Sequence, residues 1–192
     1  MFINNYYYYY KKAFSPEFCD YVMNKGTSLV NQPATIGGGG KGGRKDLKMR
    51  SSNVAWISDP SILDPVKKIM QETNKRAGWN FHLGLNVDLK AQFTRYGEKQ
   101  FYTWHCDCFQ HQEDNRKMSF TLSLSDPSAY KGGEFEFDYR DVGKGKRTEV
   151  VTQAQDKGSC LMFPSFMWHR VRPVKKGVRY SLVVWLTGEN FR

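Results

Sequence analysis

The spacing of apolar positions along the chain changes character near residue 85. Upstream, it has the three-to-four-residue period of amphipathic helices. Ser15-Pro16-Glu17 supplies a capping side chain, a proline at the first helical position and an acid in the first turn, so FCDYVMNKGTSLV is predicted to continue a helix to about Val30. Asp59-Pro60 repeats that start, and SILDPVKKIMQETNKRAGW predicts a second amphipathic helix. Between them, residues 33–52 read as loop. From Leu85 the period shortens to two. Short runs follow one another: LNVDLKAQFTRY, QFYTWH, KMSFTLSLS, EFEFDYR, RTEVVT, SCLMFP, WHRVRPV and VRYSLVVWLTG, separated by Gly97, Asp126-Pro127, Gly132-Gly133, Gly143 to Gly145 and Lys157-Gly158. Short strands at this spacing predict a mainly β fold with supporting α-helices, a two-sheet jelly roll or barrel with the N-terminal helices packed on one sheet. The tyrosine run 6–10 reads as an edge strand or a frayed end.

A length of 192 residues fits one domain, with a helical support and loop region at 1–84 and a β core at 85–192. Hydrophobic residues make up 40% of it, enough for a core. The cysteines at 19, 106, 108 and 160 form no CxxC pair, which argues against a zinc ribbon or thioredoxin-like motif and for a reducing compartment. The N-terminus has no basic segment followed by an apolar one, so no signal peptide is expected, and no apolar run is long enough for a membrane span. A soluble, intracellular protein is the expectation. The net charge of +10 permits an acidic or nucleic-acid partner but is equally the mark of a basic, soluble surface.

Chemistry concentrates in the β half. In Trp104-His105-Cys106-Asp107, alternation places His105 and Asp107 on one face of a strand and Cys106 on the other. His169, in FMWHRV, offers a third ligand. Two imidazoles and one carboxylate leave open positions on a metal, which suits a non-haem Fe(II) that must also bind a co-substrate and O₂. A lone HxD is weak, and His82 and His111 read as ordinary histidines. The segment after His169, RVRPVKKGVRYSLVVW, reads as strand, turn, strand, a hairpin that would carry Arg179 back toward the metal with Ser181 on the same face. An arginine aimed into a core needs an anion, either a carboxylate of the chain or the far carboxylate of 2-oxoglutarate.

Taken together, RYG at 95–97, WHCD at 104–107, RKMSFTLSLSDPSAYKGGEFEF at 116–137, KGSCLMFPSFMWHRVRPVKKGVRYSLVVW at 157–185 and NFR at 190–192 resemble the prolyl 4-hydroxylase-like branch of the 2-oxoglutarate/Fe(II) oxygenases, with the PKHD-type hydroxylases as near relatives. The resemblance implies a double-stranded β-helix. It implies iron held by His105, Asp107 and His169, and 2-oxoglutarate held by Arg179, Tyr96 and Ser181. Tyr102 and Trp185 would line the pocket for the target side chain. The implied reaction is hydroxylation of a C–H bond, on a prolyl residue of a peptide or protein, with Fe(II), 2-oxoglutarate and O₂, and a requirement for ascorbate is expected from the family. Thr121 and Ser123 depart from some animal relatives, which carry a tyrosine there that helps hold the co-substrate.

GGGGKGGR at 37–44 is not a phosphate-binding loop, because Gly43-Arg44 follows Gly42 where Lys-Ser/Thr is required. It reads as a lid over a peptide substrate, with Arg50 and Trp56 near its base as substrate contacts, or as an ordinary surface loop. Three other functions remain open: the same chemistry on a free amino acid or small metabolite, the same on a nucleic-acid base, and a non-enzymatic jelly-roll binding module. A nucleic-acid base is disfavoured because no second arginine motif follows Arg179 before the terminal Arg192.

Overall fold

The computed structural model describes residues 5–29, 32–35, 46–86, 88–108, 115–140 and 147–189. The glycine run at 37–44, His111 and the terminal NFR lie outside them, so the lid reading is not addressed by the structure. In chain order the elements are β1 (Tyr8–Tyr10), α1 (Pro16–Ser28), β2 (Gln32–Pro33), β3 (Arg50–Ser51), β4 (Asn53–Ile57), α2 (Pro60–Arg76), β5 (Ala91–Tyr96) and β6 (Phe101–His105). They continue with β7 (Asn115–Ser123), a short 3₁₀ turn, β8 (Tyr130–Gly132), β9 (Phe135–Asp138), β10 (Thr148–Val151), β11 (Cys160–Pro164), β12 (Trp168–Val171), β13 (Val174–Gly177) and β14 (Arg179–Gly188).

Both helix starts follow the sequence signals. Ser15 Oγ accepts the Phe18 N–H at 3.2 Å, and Asp59 Oδ1 accepts the Ser61 N–H at 3.0 Å. Asp59 also joins the two helices, since Lys25 Nζ lies 2.8 Å from it and the Tyr21 hydroxyl donates to it at 2.9 Å. Gly26 marks where α1 meets the sheet: a Cβ there would stand 2.3 Å from the Phe93 ring.

The strands form two main antiparallel sheets. The larger runs β1-β11-β7-β14-β5-β4-β2, and the smaller runs β10-β9-β12-β6-β3. β8 and β13 pair separately. Both helices bury their apolar faces on one side of the larger sheet. Val22, Ile62, Val66 and Met70 share a core with Phe93, Met118, Phe120, Leu122, Leu182 and Val184. On the opposite face of that sheet, period-two alternation leaves Gln92, Thr94 and Tyr96 of β5, Arg179, Ser181 and Trp185 of β14, and Ser119, Thr121 and Ser123 of β7. A second apolar cluster, Phe137, Tyr139, Leu161, Phe163 and Met167, ties β9 and β11 across the two sheets. This is the double-stranded β-helix architecture expected from the sequence, with helices on one sheet. Among the described residues no helix is long and apolar enough to cross a membrane.

Several local readings change. Residues 85, 86 and 88–90 are not strand; Leu85 is exposed, and β5 begins at Ala91. The first third, read as helix and loop, carries β1 to β4, and Trp56 sits in β4 opposite Gln92 of β5. The tyrosine run is an edge strand, with Tyr8 paired to Met162 of β11. Finally, β12 and β14 are not a hairpin. β13 intervenes and pairs with β8, so β12 lies in the smaller sheet and β14 in the larger one.

Candidate metal centre and adjoining pockets

β6 and β12 are neighbours, and His105 pairs directly with His169. Asp107 lies just beyond the end of β6, not within a strand as alternation had implied. Its position is set by Ser165, whose carbonyl accepts the N–H groups of Asp107 at 2.8 Å and Cys108 at 3.1 Å. The ligand atoms of His105, Asp107 and His169 lie within 4.8 Å of one another. His105 Nε2 is 3.7 Å from Asp107 Oδ1, and His169 Nε2 is 3.5 Å from Asp107 Oδ2.

The donor chemistry fits a divalent metal. Each histidine places Nδ1 2.8 Å from a backbone carbonyl, His105 on Thr103 and His169 on Met167. A carbonyl only accepts, so Nδ1 carries the proton and Nε2 presents its lone pair to the shared centre. Burial pushes His105 down to about 3, with the neighbouring His169 adding to the effect, so it is neutral at physiological pH. Burial alone would raise Asp107, but His169, His105, Arg116 and the Ser119 hydroxyl outweigh it and hold the carboxyl at about 2. A neutral His105 and an ionised Asp107 are the protonation states that metal binding requires of them.

Ser119 and Ser165 belong to this centre and went unnoticed in the sequence. Ser119 Oγ donates to Asp107 Oδ2 at 2.7 Å, and Ser165 Oγ lies 2.9 Å from Ser119 Oγ. Since the Ser119 proton is committed to Asp107, Ser165 is the donor in the second bond. Replacing Ser119 with alanine is expected to weaken metal affinity by about tenfold while leaving the fold intact. Mn(II) titration followed by electron paramagnetic resonance would show this, and an unchanged affinity would mean that Asp107 is oriented without Ser119.

On one side of the triad lies a cavity of about 160 Å³, lined by Thr121, Ser123, Gly133, Phe135, Leu161 and Arg179 among others. Phe135 is the wall it shares with the metal centre, stacking on the His169 ring at 5.3 Å. Arg179 is 6% exposed. Its Nη1 donates to Ser181 Oγ at 3.3 Å, and its guanidinium lies 5.7 Å from the Tyr96 ring centroid. Tyr96 pairs with Arg179 across β5 and β14. Gly133, at φ +67°, makes room: a Cβ there would stand 3.0 Å from Arg179 Cδ. Among the described residues no carboxylate pairs with Arg179, so an internal salt bridge does not account for it. Thr121 and Ser123 face this cavity.

On the other side, the four remaining sequence candidates meet. The Tyr102 ring stacks on His105 with centroids 3.4 Å apart, and burial raises its phenol, so the hydroxyl keeps its proton. The Arg50 guanidinium lies 4.7 Å over the Tyr102 ring and is held by Ser52 Oγ at 2.9 Å and Gln92 Oε1 at 2.8 Å. Trp56 and Trp185 face each other at 6.2 Å. Arg116, not anticipated, lies 4.0 Å over the Trp185 ring. Strict alternation from Met118, Phe120 and Leu122 would have placed Arg116 on the helix side. The ladder slips between Leu186 and Thr187, whose partners are Met118 and Arg116. Lys117 is therefore the extra residue of a bulge, and the bulge turns Arg116 toward the metal side.

A family profile described as the 2OG-Fe(II) oxygenase superfamily matches residues 91–187. A PKHD-type hydroxylase of Synechococcus sp. (strain CC9902) is 36% identical over 85 residues, covering 44% of this chain and 35% of that protein. Another, from Synechococcus sp. (strain CC9311), is 27% identical over 157 residues, covering 79% of this chain and 63% of that one. The chain thus spans between a third and two thirds of the length of these relatives. Among solved structures, a prolyl-4-hydroxylase from Pseudomonas putida superposes with a TM-score of 0.73 at 18% identity, covering 97% of this chain and 95% of that one. A prolyl hydroxylase from Trichoplax adhaerens, in complex with a hypoxia inducible factor oxygen degradation domain peptide fragment, gives 0.73 at 16% identity over 96% and 84% of the two chains. Both likenesses are of fold.

Proposed function

Because the chain belongs to the 2OG-Fe(II) oxygenase superfamily, we propose that it is an Fe(II)- and 2-oxoglutarate-dependent dioxygenase that hydroxylates a C–H bond, on a prolyl residue of a peptide or protein. The observation that carries this reading is the juxtaposition of His105, Asp107 and His169 with a buried arginine that lacks an acidic partner among the described residues. In this reading His105 Nε2, a carboxylate oxygen of Asp107 and His169 Nε2 hold the iron, leaving positions open for other ligands. Iron held there would activate O₂, which is the oxidant: one oxygen atom and two oxidising equivalents would go to the substrate C–H to give C–OH, and the other atom and two equivalents to 2-oxoglutarate to give succinate and CO₂.

The chain's own contribution is placement. Arg179 receives the far carboxylate of 2-oxoglutarate through paired N–H donors, and Ser181 and Tyr96 fix the guanidinium and add hydroxyl groups. Phe135 and Leu161, backed by the β9–β11 apolar cluster, give the cavity an apolar wall. Tyr102, Trp185, Trp56 and Arg50 form the opposite wall, where the C–H groups of a compact, weakly polar proline ring pack against aromatic faces. The peptide complex of the Trichoplax relative and the PKHD-type names of the sequence relatives support a peptide or protein as substrate.

The test is succinate formation by anaerobically purified protein given Fe(II), 2-oxoglutarate and O₂, with and without a panel of proline-containing peptides. Stimulation by a proline peptide is the expected result. Turnover that no peptide stimulates would retain the oxygenase and reject the prolyl substrate. No turnover and no metal uptake would reject both.

A further inference from the structure

The wall that faces the substrate is built almost wholly of donors. Arg50 is 7% exposed, and its two hydrogen-bond partners, Ser52 Oγ and Gln92 Oε1, are neutral. Arg116 is held only against the Trp185 ring, without a hydrogen bond or ion pair among the described residues. The same indole has a buried Nε1–H with no partner. The Tyr102 hydroxyl lies between the two arginines in charge terms, feeling both of them and Asp107. The carboxylate whose field acts on Arg116 is Asp107, which the metal requires. A buried Arg50 and a half-buried Arg116 that repel each other, beside an orphaned indole N–H, are costly unless an acceptor meets them.

Charge accounting under the oxygenase reading points the same way. Fe(II) and Arg179 are positive, and Asp107 and the 2-oxoglutarate dianion are negative, so those four charges cancel. Arg50 and Arg116 are left over. A peptide proline flanked by neutral residues would leave both uncompensated, whereas an anionic oxygen pair would satisfy them.

We infer that the substrate carries a carboxylate next to the carbon that is hydroxylated, bound by Arg116 and Arg50 with the Trp185 Nε1–H as a further donor. This rests on the oxygenase reading for the position of the reacting carbon. The carboxylate can come from a free C-terminus, as in a free imino acid or a C-terminal proline, or from an acidic side chain beside the target residue. Planar guanidinium donors suit either.

The experiment uses the full chain loaded with Mn(II) and 2-oxoglutarate, and measures binding by calorimetry and by quenching of indole fluorescence. Two probe pairs separate the sources: N-acetyl-L-proline against N-acetyl-L-prolinamide, and N-acetyl-prolyl-aspartyl amide against N-acetyl-prolyl-asparaginyl amide. In at least one pair the carboxylate is expected to bind about tenfold tighter or more, and that margin should disappear in Arg116→Gln and in Arg50→Gln. The first pair showing it assigns a terminal carboxylate, and the second an acidic side chain. Equal binding within both pairs, no binding of either carboxylate, or a margin that survives in both variants would overturn the inference. Should a variant fail to fold, the comparison within each pair on the parent chain still decides. Failure to take up Mn(II) and 2-oxoglutarate would sink the oxygenase reading instead, and the probe pairs would then be run on the metal-free chain, to which both arginines belong.

Discussion

Replacing Asp107 with alanine is expected to lower Mn(II) or Fe(II) affinity by at least about 100-fold and to abolish turnover. The carboxylate is the sole anionic member of the triad, and its two oxygens face the Nε2 atoms of His105 and His169. Without it, two imidazoles with centroids 4.1 Å apart remain, and the Ser119 hydroxyl loses its acceptor. Neither change removes apolar packing, so circular dichroism should match the parent. Electron paramagnetic resonance of Mn(II) reads the affinity directly. A variant that binds metal within a few-fold of the parent would move the metal away from this triad.

The second large effect is expected from Arg179→Ala. Removing the guanidinium leaves the far carboxylate of 2-oxoglutarate unpaired in a buried site, at a cost of about 2–5 kcal/mol, so 2-oxoglutarate should bind about 30-fold to 5,000-fold more weakly to the metal-loaded variant. Metal affinity should not change, because Arg179 faces the cavity and is not among the ligand residues. Calorimetric titration of 2-oxoglutarate into Mn(II)-loaded protein measures it. Arg179→Lys should recover part of the loss through charge, but not the paired geometry of the guanidinium. Co-substrate affinity equal to the parent would place the far carboxylate elsewhere.

Much of this arrangement was legible because it rests on period-two alternation. All eight strands read from the β half exist, though several are shorter than their runs, and β6 and β12 bring His105 and His169 together, with Asp107 just past the end of β6. What escaped has specific causes. β4 is a five-residue strand, Asn53–Ile57, whose status depends on pairing with β5 and on packing under α1, and neither is written in NVAWI itself. The hairpin reading of 168–185 failed because a turn signal tells where the chain bends, not which sheet receives the next strand. Ser119 could have been found: with Thr121 and Ser123 it forms a polar stripe opposite Met118, Phe120 and Leu122, and small hydroxyls on a core strand imply an interior that is not purely apolar. Arg116 could not, since a one-residue bulge reverses the facing of everything beyond it and leaves no mark in composition.

The place of β14 in the larger sheet also bears on how the molecule is assembled in time. Leu182 is paired to Leu122 on one side and to Phe93 on the other, so the strand that comes latest among those described is the one joining two parts of the chain made much earlier. Such a sheet has no local nucleus; its closure waits on distant segments, which is the condition for slow folding. The same strand carries Arg179, Ser181 and Trp185. Closure of the larger sheet is therefore also what brings Arg179 beside Tyr96, so the pocket around that guanidinium exists only once distant strands have met.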